Sequence, residues 1–316
     1  MSGRARSILL TLLGSPAIGP ALAKVGTKSD LTLYHHVTEG LAVSYVEPTL
    51  YPERFPPLLA ALAMGDAVVL AVEKLDRDLA ECVVTSDLAG KDRGFVVLGP
   101  SVGEAEVRAL LKGTQLEGYP FLPWELPRVR TQVEAMEPPP PKGELSIPVD
   151  HAFPVKGVGP VVLGVVRGEP VRAHEKLRLF PTEKTVEVRS IQVHDVEVPE
   201  ASPGDRVGLA LKGVEAEELS RGLLLAREGS YAVKDLLEID QYRPCRFFKG
   251  KAGEGDRVHV SLGLSLASAK VQTVDGPRYT LALDKPLAVR PGERALLVQL
   301  SGMGAGPRVA GGGLTL

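Results

Sequence analysis

Cysteine is nearly missing from this chain. Its two copies, Cys82 and Cys245, fall in different expected domains with no second ligand at metal spacing, which leaves no metal site and points to a reduced intracellular compartment. Long apolar runs are missing as well. Ser7 to Leu13 is the only one near the N-terminus, too short to cross a bilayer or to serve as the apolar part of a signal peptide. The expectation is a cytoplasmic protein without a membrane partner. An excess of one charge is missing too: the formal net charge is −2 over 37 basic and 39 acidic residues, so any contact with RNA has to come from a local patch. The six histidines are scattered. His35 and His36 are adjacent, which on a strand turns them to opposite faces, and His174, His194 and His259 read as surface strand or turn residues. No acid–base or nucleophile arrangement is visible, so no catalytic residue and no metal ligand is assigned.

What the chain does have is glycine (34) and proline (26), in 316 residues that are 44% apolar. That combination suits many short strands joined by tight turns, and the length suits two or three domains, each with its own core. The most informative stretch is 147–166, IPVDHAFPVKGVGPVVLGVV. Val, Ile and Phe favour a half-buried pleated surface, and the bend Lys156-Gly157-Val158-Gly159 lets the backbone reverse, so a strand pair is predicted. Upstream, residues 7–14 read as a buried strand ending at a glycine, PPLLAALAMGDAVVLAVE as a helix and a strand, and residues 95–98 as another strand. Pro138 to Pro141 cannot continue a helix and mark the clearest linker. Downstream, YAVKDLLEIDQY, RVHVSLGLSLASAKVQTV, YTLALDKPLAV and RALLVQL alternate as all-β segments do, with turn signals at Asp275-Gly276 and Pro291-Gly292.

The order of these residues carries a resemblance. Asp150-His151-Ala152-Phe153, then VKGVG, VVLGVV, GEPVRAHEKLRLFP, the run Val188 to Gln192 and PGDRVGLALKGVEAEELSRGLLLA resemble the second domain of the translational GTPases, the small β-barrel of elongation factor Tu. They are most similar to the selenocysteine-specific branch, SelB. KPLAVRPGERALL and the terminal GPRVAGGG resemble the third domain of SelB-like factors. The resemblance implies an α/β plus all-β fold: a degenerate phosphate-loop, GTPase-like Rossmannoid domain over 1–137, a proline-rich linker over 138–144, and two elongation-factor-like β-barrels over 145–230 and 231–316.

In the N-terminal domain the flanking elements of that family persist while its chemistry does not. Gly14 and Gly19 are spaced as in a phosphate-binding loop, where backbone N–H groups and a helix N-terminus face the phosphates. Pro20 and Ala21 stand where the family has a lysine and a hydroxyl residue, so no cation reaches the β/γ-phosphates and no hydroxyl is offered to Mg²⁺. Proline also removes one donor. Val46 to Phe55 is similar to the family's D-T-P-G-H-E-R-F, with Pro48 in place of the metal-linked aspartate and Tyr51 in place of the γ-phosphate-sensing glycine. Gly99 follows a strand that in the family ends in N-K-x-D, and neither the Asn nor the Asp is present. VGTKSDLTLY resembles a segment after the first helix of some archaeal-type SelB-like proteins. The interval from Tyr34 to Val46 is short for an effector loop, leaving Thr38 as the nearby threonine. The resemblance thus implies a factor that has lost hydrolysis, with no nucleotide or Mg²⁺ cofactor expected. The alternative is a divergent GTPase that still uses GTP and Mg²⁺. Any small doubly wound domain would show the same alternation of strands and helices.

In the barrels the resemblance places the aminoacyl pocket at Asp150, His151 and Arg206, with His151 replacing an arginine of the family and offering an anion a weaker partner. The plainer reading has Asp150 capping a turn and Arg206 in a surface ion pair. Tyr242, Arg243, Arg246, Phe247, Phe248, Lys249 and Lys251 interleave bases with aromatics. Such a segment either holds phosphates and stacks beside them, or forms an edge strand with aromatics inward and charges outward. The expected partner is tRNA, the ribosome or a translation factor, and the alternative is a protein-only interaction module outside translation.

Overall fold

The computed structural model describes residues 6–38, 40–300 and 306–316. Its first part is β1 (Arg6–Gly14), α1 (Ile18–Leu22), β2 (Lys24–Lys28), β3 (Thr32–Thr38), β4 (Leu41–Glu47), α2 (Pro56–Met64), β5 (Ala67–Val72), α3 (Arg77–Leu88), β6 (Gly94–Leu98), α4 (Glu104–Leu111), β7 (Phe121–Pro123) and α5 (Leu126–Glu134). The seven strands form one sheet in the order β2-β3-β4-β1-β5-β6-β7, parallel from β4 to β7 and antiparallel from β2 to β4. The central strands are continuous apolar runs because helices cover both faces of a parallel sheet, and AVVLAV in β5 is buried at every position. Thr38 and Leu41 close a tight β3–β4 hairpin, which is why the 34–46 interval holds no long loop. The Thr38 hydroxyl donates to Leu41 O at 3.3 Å.

After a stretch without regular structure at 136–142 come β8 (Ser146–Val155), β9 (Gly159–Val165), β10 (Val171–Arg172), β11 (Lys176–Phe180), β12 (Thr185–Val193), β13 (Val196–Val198), β14 (Glu200–Ala201), β15 (Arg206–Lys212) and β16 (Leu224–Ala226). The order β11-β16-β8-β9-β15-β12-β13, with β11 also paired to β12, closes six strands into an antiparallel barrel. The β8–β9 hairpin turns at the predicted bend. Its inward residues, Ile147, Val149 and Val162 among them, join Leu177, Ile191, Leu209 and Leu225 in one core. A second closed barrel, in the order β17-β20-β19-β18-β21-β22, is built from β17 (Ala232–Pro244), β18 (Arg257–Leu262), β19 (Ser265–Asp275), β20 (Arg278–Val289), β21 (Arg294–Val298) and β22 (Val309–Thr315).

The chain divides into two compact units. One runs to Pro139 and includes Arg243–Gly250 and Val298–Gly312; the other comprises Pro140–Tyr242, Lys251–Leu297 and Gly313–Leu316. Among the described residues no helix is long and apolar enough to cross a membrane.

Candidate functional site

In an open α/β sheet, ligands sit outside the carboxyl ends of the strands, where the strand order reverses. In this sheet the chain leaves β1 for β2–β4 on one side and returns to β5 on the other, so that point lies at the ends of β1, β4 and β5. A cleft of about 540 Å³ opens there, lined by Gly14, Ser15 and Pro16 after β1, by Glu47, Pro48 and Thr49 at the end of β4, and by Glu73 and Lys74 after β5. Tyr51, Pro52, Glu53, Asp76, Asp78 and Cys82 also line it.

Each element of the expected phosphate loop has a structural occupation of its own. Gly14 takes φ +88°, and a Cβ on it would lie 2.1 Å from Ala71 O. A Cβ on Gly19 would lie 2.6 Å from the Tyr34 ring. Both glycines are therefore required by packing. Pro16 and Pro20 have no N–H, Ser15 N–H donates to Ala71 O at 2.9 Å, and Ala17 N–H donates to the Ser15 hydroxyl at 3.2 Å. Pro20 is exposed, the Ala21 carbonyl accepts from Arg130 at 3.0 Å, and α1 is only five residues long.

The charges in the cleft are mostly negative. Its lining carries five carboxylates, Glu47, Glu53, Glu73, Asp76 and Asp78, against one cation, Lys74. Lys74 pairs with Asp76 at 2.7 Å, and Asp76 also caps α3 by accepting from Leu79 N–H at 2.8 Å. The Ser15 hydroxyl donates to Glu73. Glu47 accepts from the Tyr34 hydroxyl at 2.5 Å; burial pushes its carboxyl above the ordinary range, against the pull of that hydrogen bond. Burial also pushes the Cys82 thiol up to about 12, so it is not a thiolate at neutral pH. A second cleft, also about 540 Å³, lies beyond β6 and β7 between Gly99, Pro100, Phe121 and Trp124, with Glu104 and Glu125 at its edge. Arg108 stacks on Phe121 at 4.1 Å and pairs with Glu104 at 2.6 Å.

In the first barrel Asp150, His151 and Arg206 do come together. Arg206 grips the Asp150 carboxylate with both terminal nitrogens, one at 2.9 Å, and His151 Nδ1 lies 2.6 Å from Asp150 Oδ1. Arg221 Nε donates to Asp150 O at 3.0 Å. Both readings of the plain alternative need correction. Asp150 sits within β8 rather than at a turn, and Arg206 opens β15 with its side chain only 8% exposed, so the pair is buried inside the barrel wall. Burial alone would raise the Asp150 carboxyl; the Arg206 charge and the hydrogen bonds from His151 and Arg206 outweigh it and hold it at about 2.

The interleaved segment after β17 splits by environment. Tyr242 is buried and packs on Tyr279 at 4.1 Å between centroids, so it is not part of a surface patch. Arg243 pairs with Asp87 at 3.0 Å. Arg246 lies over the exposed Phe247 ring at 4.7 Å, and Lys249 and Lys251 are exposed. His174 and His194 stand at turns with positive φ, as expected of surface positions. His259 differs: it lies on β18 with Nδ1 buried, and burial lowers its pKa.

Sequence reasoning missed Glu47, Glu73, Asp76 and Asp78 as cleft residues, although EKLDRD directly after an apolar strand was a signal for an acidic strand end. It also missed the carboxyl side chain of Glu81, which is only 5% exposed, and its partner Arg308, at 2.5 Å.

No family model matches the chain. Among curated proteins, "Uncharacterized protein MJ0325" of Methanocaldococcus jannaschii is 34% identical over 283 residues, covering 89% of this chain and 91% of its own length. The selenocysteine-specific elongation factor of the same organism is 38% identical over 127 residues, 40% of this chain and 27% of that protein. Elongation factor 1-alpha of Pyrobaculum calidifontis is 32% identical over 173 residues, 54% of this chain and 38% of that protein. The matches thus span well under half of these two elongation factors. Among solved structures, elongation factor SelB from Methanococcus maripaludis in complex with the GTP analogue GPPNHP superposes with a TM-score of 0.80 over 98% of this chain and 79% of its own, at 20% identity. A bacterial selenocysteine-specific elongation factor, EF-Sec, gives 0.82 over 98% and 58%, at 18% identity. Identities this low speak for the fold alone. With a nearly full-length relative, partial matches to two elongation factors and a shared sheet-plus-two-barrels architecture, the chain belongs to the elongation factor Tu/SelB-like family of translational GTPases.

Proposed function

We propose that this chain is an elongation factor Tu/SelB-like protein that has lost GTP hydrolysis and acts in the cytoplasm as a non-catalytic binding protein of tRNA, the ribosome or a translation factor. The observation that carries the reading is the charge of the cleft: five carboxylates against one lysine that is already paired. A nucleoside triphosphate does not fit these residues. At about 7 Å and an effective dielectric of about 20, each carboxylate–phosphate charge pair costs about 2 kcal/mol. Little offsets this: Pro20 stands at the lysine position, and of the amides at positions 15–20 Pro16 and Pro20 have none and Ser15 and Ala17 have donated theirs, which leaves only Ile18 and Gly19. For Mg²⁺, Ala21 supplies no hydroxyl at the position where the family has one.

The proposed domains are 1–137, 145–230 and 231–316, joined by the linker 138–144. The partner contacts proposed are the exposed Arg246, Lys249 and Lys251 and, separately, the surface around Asp150, His151 and Arg206, whose own ion pair is buried. A divergent working GTPase is the second reading, favoured by a structural neighbour that was solved with a GTP analogue. The discriminating experiment is calorimetric titration with GTP, GDP and a non-hydrolysable analogue in Mg²⁺, with total tRNA in parallel. No nucleotide binding up to about 1 mM, a free energy of only about −4 kcal/mol, is expected; micromolar GTP affinity overturns the reading. A stable protein partner without any tRNA binding moves the function outside translation.

A further inference from the structure

We propose that Arg308 is a built-in clamp that holds the Pro48–Phe55 turn against α3 without help from any ligand, so that one wall of the acidic cleft is permanently set. All of these residues lie in the first compact unit. The clamp uses four donors of one residue. Arg308 N–H donates to Glu81 Oε1 at 2.6 Å, Nε reaches both Glu81 oxygens at 3.2 Å, Nη2 donates to Glu81 Oε2 at 2.5 Å, and Nη1 donates to Pro52 O at 2.9 Å. The guanidinium also lies 4.7 Å from the Phe55 ring centroid and 5.5 Å from that of Tyr51. One residue thus fastens the turn to the helix by hydrogen bonds and by lying over the Phe55 and Tyr51 rings.

Three further contacts close the network. The Tyr51 hydroxyl donates to Asp78 O at 2.7 Å and lies 3.0 Å from Glu81 Oε2. Arg77, one helical turn before Glu81, donates to Gly306 O at 2.8 Å, so α3 holds the 306–308 segment at two points on one face. Glu81 is 5% exposed and the Arg308 side chain 18%. Removing either partner strands the other in a buried place, and such breaks are strongly unfavourable. Tyr51, Pro52 and Glu53 line the cleft, so a turn held this way does not move aside when something enters.

The test is hydrogen exchange read by mass spectrometry on the full chain. The reporters are the amides of Tyr51, bonded to Pro48 O, and Arg54, bonded to Leu50 O; Val68, bonded to Arg93 O, is the core control. In ligand-free wild type both reporters are expected to exchange slowly, and millimolar GTP or GDP is expected to leave them unchanged. Arg308→Ala and Glu81→Gln are expected to accelerate both by at least about 100-fold with the control unmoved, and Arg308→Lys, which keeps the charge but not the fork, by less. Unchanged exchange in the variants overturns the clamp. Should a variant fail to fold, the wild type decides: slow exchange at the reporters supports the clamp and free-turn rates overturn it. The clamp and the absence of nucleotide binding fail separately. GTP binding with an unmoved turn refutes only the latter, and a fast-exchanging turn without GTP binding refutes only the former.

Discussion

Replacing Asp150 by asparagine removes one charge from the first barrel and keeps the shape of the side chain. Its carboxyl is held at about 2 against an ordinary 3.8. A depression of that size corresponds to roughly 2 to 3 kcal/mol of stability. The folded-state value lies below the unfolded one, so the contribution is complete above about pH 4 and disappears as the pH falls through the window from 3.8 to about 2. The variant costs more than this at neutral pH, because Arg206 keeps its charge in a wall where Asp150 is 2% exposed. Breaking one partner of such a pair costs about 3–5 kcal/mol.

The assay is urea unfolding at pH 7 and pH 3, with exchange at β8, β9 and β15 amides reporting the barrel separately from the rest of a chain that need not unfold in one step. Asp150→Asn is expected to lower barrel stability by about 3–5 kcal/mol at pH 7, with the gap to wild type narrowing toward pH 2. The double variant Asp150→Leu with Arg206→Leu is expected to regain most of the loss, since an apolar pair leaves no stranded charge. An Asp150→Asn variant within about 1 kcal/mol of wild type at pH 7, with a parallel pH profile, would refute the reasoning and return Arg206 to a solvated surface bridge.

Gly14→Ala adds a Cβ at φ +88° and 2.1 Å from Ala71 O; the expected cost is about 3 kcal/mol or more, read as a fall in Tm of about 6–12 °C, and an unchanged Tm would mean that the β1–α1 loop is not packed as described. The triple variant Arg246→Ala, Lys249→Ala, Lys251→Ala alters exposed side chains and is expected to leave Tm in place while lowering the salt dependence of tRNA binding, with the slope of log K against log salt shallower by about 2–3. An unchanged slope assigns any RNA contact to another surface.

The parts of the fold legible in the sequence were those with a local cause. AVVLAV announces a strand buried on both faces because a parallel strand under helices has no polar side, and VKGVG announces the β8–β9 hairpin because only glycine relaxes the bend. The site was less legible because its contacts are remote. Asp150 and Arg206 are 56 residues apart and Glu81 and Arg308 are 227 apart, separations over which no periodicity operates. Read singly, each is a polar residue that belongs on the surface; only the family resemblance brought Asp150 near Arg206, and nothing in the sequence brought Glu81 to Arg308. The Glu73 to Asp78 run has the composition of a solvated loop, and its consequence depends on β1, β4 and β5 ending at one point. Gly14 and Gly19 show the same limit from the other side. Motif spacing records where Cβ atoms are absent and says nothing of what fills the space. Here the fillers are a carbonyl and a tyrosine ring from the same chain. The spacing that a phosphate loop requires therefore follows equally from strand and helix packing, and the chemistry around the loop has to decide between them. The carboxylates around it weigh against an anionic ligand, while nothing in the glycines does.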